Sequence, residues 1–262
     1  MRVPVKDPIV NDIDGIARRF LAARAANEPY EAPSAGVALD VDDAHAVQRA
    51  FNTLRTGDKV IGYKSAANAE ALQRALGLSG PIAGVLFAGG ERAAGSTIRR
   101  SDYRALLVET EFGFRAARRI NAPVKSVPEL RAATTTCTAM IELADPGFGR
   151  TRMTGTDLIA ANAASAGFIR GRAQSVGDVE LDEVRVQLRR DGETLHQARS
   201  GDLMDGQWEA LKWLVNRVVE LGYVVEPGHL LMTGALGAAH PAAPGKYSAD
   251  FSELGVIEFE IV

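Results

Sequence analysis

The sequence predicts an α+β fold, with a mostly helical region over residues 1–80 leading into a β-rich core over 81–262, all within one compact unit. Three observations predict it. Apolar residues in the first third recur at three- and four-residue intervals, the period of a helix with one buried face. Further on, Val184, Val186 and Leu188 alternate with Arg185, Gln187 and Arg189, the two-residue period of a half-buried strand. No repeat, low-complexity tract or linker divides the 262 residues.

In order, Ile13, Ile16, Phe20 and Leu21 mark a first helix behind a cap at Asn11 or Asp12. Residues 27–40, rich in Pro, Gly and Ala, read as a loop. A second helix starts at Asp42 or Asp43 and aligns Ala44, Val47, Phe51 and Leu54. Thr56-Gly57-Asp58 breaks it, Lys59–Lys64 reads as a short strand, and a third helix runs from Asn68 to Leu76, ended by Gly77. Leu106–Ala116 and Thr135–Leu143 read as strands. Asp191-Gly192 turns a hairpin into a strand over Thr194–Ala198. A long helix with Trp208, Leu211, Val215 and Val218 on one stripe ends near Gly222, and Leu230–Thr233 and Val256–Val262 close the fold as strands.

Composition removes several classes of function. Hydrophobic residues make up 46% and charged residues 24%, which suits a packed globule rather than a disordered chain. The net charge of -3 comes with dispersed basic residues, so neither nucleic acid nor a membrane surface is implied as a partner. A lone Cys137 excludes an intrachain disulfide and any CxxC metal site. No apolar run approaches the roughly 20 residues of a membrane span, and Asp7, Asp12 and Asp14 interrupt any signal-peptide core, so the expected compartment is the cytoplasm. The sequence contains no GxGxxG, P-loop, HExxH or G-x-S-x-G, and His45, His196, His229 and His240 are scattered.

The chemistry points to carboxylates. In Leu106-Leu107-Val108-Glu109-Thr110-Glu111-Phe112, a strand would put Glu109 and Glu111 on one face, about 7 Å apart. Glu142 lies in a second apolar run, Met140-Ile141-Glu142-Leu143. Buried like charges repel and resist desolvation unless a cation compensates them, and a hard oxygen-loving ion such as Mg²⁺ or Mn²⁺ would do so. An isolated E-x-E is also common on solvated edge strands, so the pattern alone leaves both readings open. Lys64, ending Val60-Ile61-Gly62-Tyr63, is the candidate proton-transfer group beside such an ion, against the alternative of a surface lysine at a strand end. Thr233-Gly234, in a turn after an apolar strand, offers a hydroxyl and backbone N–H groups to a carboxylate ligand.

These residues fall in a familiar order. Gly62-Tyr63-Lys64, Leu76-Gly77-Leu78, Pro81–Phe87, Val108–Glu111, Ile141-Glu142, Asn162-Ala163, Trp213-Leu214, Met232–Gly237 and Leu254-Gly255-Val256 together resemble the 2-keto-4-pentenoate hydratase and 4-oxalocrotonate decarboxylase family of the fumarylacetoacetate hydrolase superfamily. The resemblance spans about residues 10–262. It implies a mixed β-roll core with outer helices, a homo-oligomer, and a place in aromatic compound catabolism. It also implies Mg²⁺ or Mn²⁺ held by Glu109, Glu111 and Glu142, with Lys64 as the catalytic residue and Asn162, Thr233 and Gly234 as substrate-binding residues. The substrate would be a small 2-oxo or 2-hydroxydienoate acid reacting through an enolate in a lyase of the hydratase type. The alternatives are decarboxylation of an oxalocrotonate, hydrolysis of an acylpyruvate, and a non-catalytic relative that binds 2-oxo acids. Several positions depart from the family pattern. Ile82 and Ala161 stand where hydratases tend to carry Asp, Ala164 replaces a Ser, and Asp205-Gly206-Gln207 replaces a Gly-His/Asn-Pro turn.

Overall fold

The computed structural model of the chain describes residues 12–36, 38–149 and 152–262; Asp7 and the alternative cap Asn11 lie outside the described residues. The helices are α1 (Ile13–Ala26), α2 (Val41–Leu54), α3 (Glu70–Leu76), α4 (Val127–Arg131), α5 (Gly155–Ala160) and α6 (Gln207–Glu220). The strands are β1 (Val60–Ala66), β2 (Ile82–Phe87), β3 (Glu91–Arg92), β4 (Thr97–Ile98), β5 (Leu107–Ala116), β6 (Thr134–Ala144) and β7 (Gly167–Ser175). They continue with β8 (Arg185–Arg190), β9 (Glu193–Arg199), β10 (Leu230–Met232), β11 (His240–Pro241), β12 (Gly245–Asp250) and β13 (Val256–Ile261).

Two mixed sheets form the core. The first has the order β2-β1-β10-β5-β6-β7-β3, with β11 on β5; the second runs β4-β13-β12-β8-β9. Val108, Phe112 and Phe114 of β5 share one buried cluster with Val186 and Leu188 of β8, Ile257 and Phe259 of β13, and Leu211, Leu214 and Val215 of α6. A separate cluster joins Ile16 and Phe20 of α1, Val47 and Phe51 of α2, and Leu158 and Ile159 of α5. The long helices therefore cover the sheets by burying the stripes that their periodicity announced.

Local chemistry fixes the boundaries. Asp12 caps α1 by accepting from the Gly15 amide, and Asp40 caps α2 by accepting from the Asp43 amide, so α2 begins slightly before the expected Asp42 or Asp43. Gly77 ends α3 in the left-handed conformation at φ 70°. β1 belongs to the first sheet even though the described elements before β2 are otherwise helices. It approaches its parallel neighbour β10 so closely that a Cβ on Gly62 would stand 1.8 Å from the Leu230 carbonyl oxygen, which explains the glycine two residues before Lys64.

Candidate metal centre

β5 and β6 pair antiparallel with Glu109 opposite Glu142 and Glu111 opposite Met140. Alternation puts Glu109, Glu111 and Glu142 on one face, while Val108, Phe112 and Phe114 point into the core between the sheets. One oxygen from each carboxylate lies within 4.8 Å of the others. Glu111 and Glu142 are buried, and only Glu109 is partly open to the cavity beside it.

Lys64 reaches this cluster from β1. Two strands, β10 and β5, separate β1 from β6, which in a flat sheet would put them roughly 14 Å apart. The Lys64 Nζ nevertheless lies 2.9 Å from Glu142 Oε2, so the sheet curls around this face. The contact is an ion pair without hydrogen-bond alignment; Nζ donates instead to the Ala163 carbonyl at 3.0 Å. That carbonyl is aimed by an unusual turn, because Asn162, Ala163 and Ala164 are all left-handed, at φ 62°, 53° and 60°. Each costs about 1 kcal/mol or more for a residue with a Cβ, a strain typical of functional sites.

The electrostatics are those of a cation site. With all three carboxyls ionised, one ammonium would leave two negative charges uncompensated in a buried cluster. Burial, reinforced by Glu142 and only partly opposed by Lys64, pushes the Glu109 carboxyl up to about 7. Burial and the neighbouring Glu142 raise Glu111 well above the usual range. Burial pulls the Lys64 ammonium down, but Glu142, Glu111 and Glu109 outweigh it and the net shift is upward. Glu111 Oε1 and Glu142 Oε1 are buried with no hydrogen-bond partner, and Glu142 Oε2 has only the Lys64 ammonium. Three clustered carboxyls sharing a single ammonium, with Glu111 Oε1 and Glu142 Oε1 lacking a hydrogen-bond partner, fit a hard divalent ion.

The remaining expected site residues lie close by but are engaged differently. The Gly234 amide donates to Glu111 Oε2 at 3.0 Å, so it orients a candidate ligand and is not free for substrate. The Thr233 hydroxyl is fully buried and donates to Gln207 Oε1 at 2.8 Å, while Gln207 Nε2 donates to the Ser200 carbonyl. Asn162 accepts from the Val85 amide at 2.8 Å and donates to the Val85 carbonyl at 2.9 Å. None of Asn162, Thr233 and Gly234 lines the cavity. Each of the three has found a protein partner, as buried polar groups must. Ile82 and Ala161 lie in the apolar cluster of the helical layer. Sequence reasoning missed Asn68, which lines the cavity and bonds Ser65 and the Thr233 carbonyl, and the Ala163 carbonyl on Lys64. A side-chain amide beside a strand end was a readable signal for the first; nothing in an Ala-Ala pair announces the second.

Comparison with known proteins decides the family. The chain is 31% identical over 222 residues to a 2-keto-4-pentenoate hydratase of Burkholderia vietnamiensis, covering 83% of this chain and 85% of that protein. The chain belongs to the 2-keto-4-pentenoate hydratase family. A second member, from Paraburkholderia phymatum, is 29% identical over 94% of this chain and 96% of its own length. No protein-family model matches. Among solved structures, a 4-oxalocrotonate decarboxylase from Pseudomonas putida G7, complexed with magnesium and adipate, superposes with a TM-score of 0.91 at 21% identity over 98% of this chain and 100% of that one. A 2-hydroxyhepta-2,4-diene-1,7-dioate isomerase from Mycobacterium marinum superposes at 0.59, with 13% identity over 78% of this chain and 76% of its own. A protein from Yersinia pestis assigned to the fumarylacetoacetate hydrolase family superposes at 0.60, with 12% identity over 79% and 94%. The fold is thus the fumarylacetoacetate hydrolase-like α+β fold. No helix among the described residues is long and apolar enough to cross a membrane.

Proposed function

We propose that this chain is a divalent-metal-dependent lyase that hydrates a 2-hydroxydienoate, in equilibrium with its 2-oxo form, in the manner of a 2-keto-4-pentenoate hydratase. The observation that carries the reading is the meeting of Glu109, Glu111 and Glu142 with the Lys64 ammonium in one buried cluster at the end of a cavity. Its family membership supports the activity.

Glu109, Glu111 and Glu142 would hold Mg²⁺ or Mn²⁺, and Gly234 would orient Glu111 through its amide. A hard divalent ion there supplies Lewis-acid polarisation of the 2-oxo and carboxylate groups of a bound acid. Lys64 is the proton-transfer group. Lys64 lines the cavity, is favoured in its protonated form by its carboxylate neighbours, and can lower the cost of negative charge developing on the substrate's 2-oxygen or deliver a proton there. The strained turn at 162–164 holds Nζ in position through the Ala163 carbonyl. We place the enzyme in the cytoplasm as a homo-oligomer acting in aromatic compound catabolism, with residues 1–262 folding as one unit.

Decarboxylation is the second reading, favoured by the apolar burial of Ile82 and Ala161, where hydratases tend to carry Asp. One assay separates the two. Metal-loaded protein is incubated with 2-hydroxypenta-2,4-dienoate, 4-oxalocrotonate and an acylpyruvate, and the products are identified. The hydratase reading expects a 4-hydroxy-2-oxo acid from the dienoate. Carbon dioxide from 4-oxalocrotonate with no dienoate hydration would overturn it.

A further inference from the structure

The cavity beside the carboxylates is larger and more apolar than a five-carbon acid requires. It measures about 640 Å³, within the range that encloses drug-sized ligands, about 300–1,000 Å³. Lys64 and Glu109 mark its reactive end. Away from them the wall is built by Leu72 and Leu76 of α3, Leu107 of β5, Met153, Leu158 of α5 and Leu203, with alanines between. Leu72 is 46% exposed, a large apolar side chain held in water on the cavity's lining.

Charge is arranged to match. Among the described lining residues the only cation besides Lys64 is Arg199. Its guanidinium is paired with Glu183, and Asp202 lies on the same lining. A second carboxylate at the far end of a ligand would therefore meet leucines, an arginine already paired with Glu183 and the like charge of Asp202, with no unpaired cation to receive it. A hydrocarbon chain along the leucines gains from leaving water.

Resting on the reading of the centre as a site for 2-oxo acids, we propose that its preferred substrate is a monocarboxylate carrying an apolar tail of several carbons beyond the reacting segment, favoured over the bare five-carbon dienoate and over a dicarboxylate. The 2-oxo acid head sits at the carboxylate cluster, and the tail lies along Leu76, Leu107 and Leu158 towards Leu72.

The test is binding of unreactive 2-oxo acids to the Mg²⁺-loaded protein by titration calorimetry, with turnover of the corresponding 2-hydroxydienoates measured separately. Each added methylene should tighten binding about fourfold, so 2-oxooctanoate should bind roughly sixtyfold more tightly than 2-oxopentanoate. 2-Oxohexanedioate should bind more weakly than 2-oxohexanoate. Leu72→Arg, an exposed position that tolerates a charge without disturbing the core, should reverse that second preference and blunt the first. Equal affinity for 2-oxopentanoate and 2-oxooctanoate, or a wild-type preference for 2-oxohexanedioate, overturns the proposal. If the chain-length trend holds and no dienoate is hydrated, the tail site stands and the hydratase reading falls. If the five-carbon dienoate is hydrated and the trend is absent, the reverse is true. Failure of every acid to bind in the presence of Mg²⁺ overturns both.

Discussion

Lys64 Nζ and Glu142 Oε2 meet at 2.9 Å although two strands lie between their own in the sheet. The curl that brings them together makes one charge system of four residues: a single ammonium against three carboxylates. Removing that ammonium therefore has two separable effects. Lys64→Met should lower turnover by about 10²–10⁴-fold, the usual worth of a positioned proton-transfer group. It should also destabilise the metal-free protein, by up to about 3 kcal/mol, because Glu142 loses the cation in a pair that is almost wholly buried. Mg²⁺ should recover the stability and leave the activity lost. Thermal melts with and without Mg²⁺, alongside kcat, check this. Wild-type kcat in the variant would rule out the role given to Lys64.

Glu111 supports the complementary prediction. Glu111→Gln removes one of the repelling charges and keeps an oxygen to accept from the Gly234 amide. The metal-free variant should melt several degrees above the metal-free wild type, while the stabilisation by Mg²⁺ largely disappears. A variant that melts lower without metal would show that the cluster is not electrostatically strained.

The pH dependence follows from the raised carboxyls. In the metal-free fold the Glu109 carboxyl is pushed up to about 7, against about 4.5 in an unfolded chain. Between these values the folded state holds the extra proton, so metal-free stability falls as pH rises through that window and levels off above it. Mg²⁺ competes with the same proton, so the Mg²⁺-induced rise in melting temperature should grow from pH 5.5 to pH 8. Calorimetry in buffers of different ionisation enthalpy should record proton release on binding. A metal-induced shift of equal size at both pH values would contradict the assignment.

The contrast between Glu109 and Asn162 shows how much of the site the sequence disclosed. Glu109, Glu111 and Glu142 were visible because carboxylates in apolar runs conflict with burial, and strand alternation assigns them a common face without three-dimensional knowledge. Lys64 was visible as a charge ending an apolar strand. The distant pairing of Lys64 with Glu142 was not, because it depends on the curl of a sheet whose strand order interleaves β10 between β1 and β5. The amide of Asn162, read from the sequence as a substrate-binding residue, engages both the Val85 amide and carbonyl, an engagement no local pattern encodes. The long helices matched their periodicity within a residue or two. β2 has every residue buried and so no alternation, β7 is interrupted by Gly171, and β12 is largely polar, which hid all three strands from a period-two reading. The short helices α4 and α5 offered too few turns for a stripe to appear.

Gly234 and Thr233, adjacent in sequence, should behave in opposite ways. Gly234 holds φ 109°, and a Cβ there would stand 2.1 Å from Asn68 Oδ1. Asn68 is itself tied to Ser65 and to the Thr233 carbonyl, so it has little room to retreat. Gly234→Ala should displace the turn and with it the amide that orients Glu111, weakening Mg²⁺ binding by about 10–100-fold, as the loss of a group that positions a metal ligand typically does. Thr233→Val keeps the backbone and the shape but deprives Gln207 Oε1 of its donor in a fully buried pocket. Its cost should be about 1–3 kcal/mol of stability. The Mg²⁺ affinity and the KM for a 2-oxo acid substrate should stay near wild type, since the hydroxyl faces Gln207 and not the cavity. Measuring Kd for Mg²⁺, KM and the melting temperature for both variants separates the two roles. A large rise in KM for Thr233→Val at unchanged stability would return Thr233 to the substrate pocket.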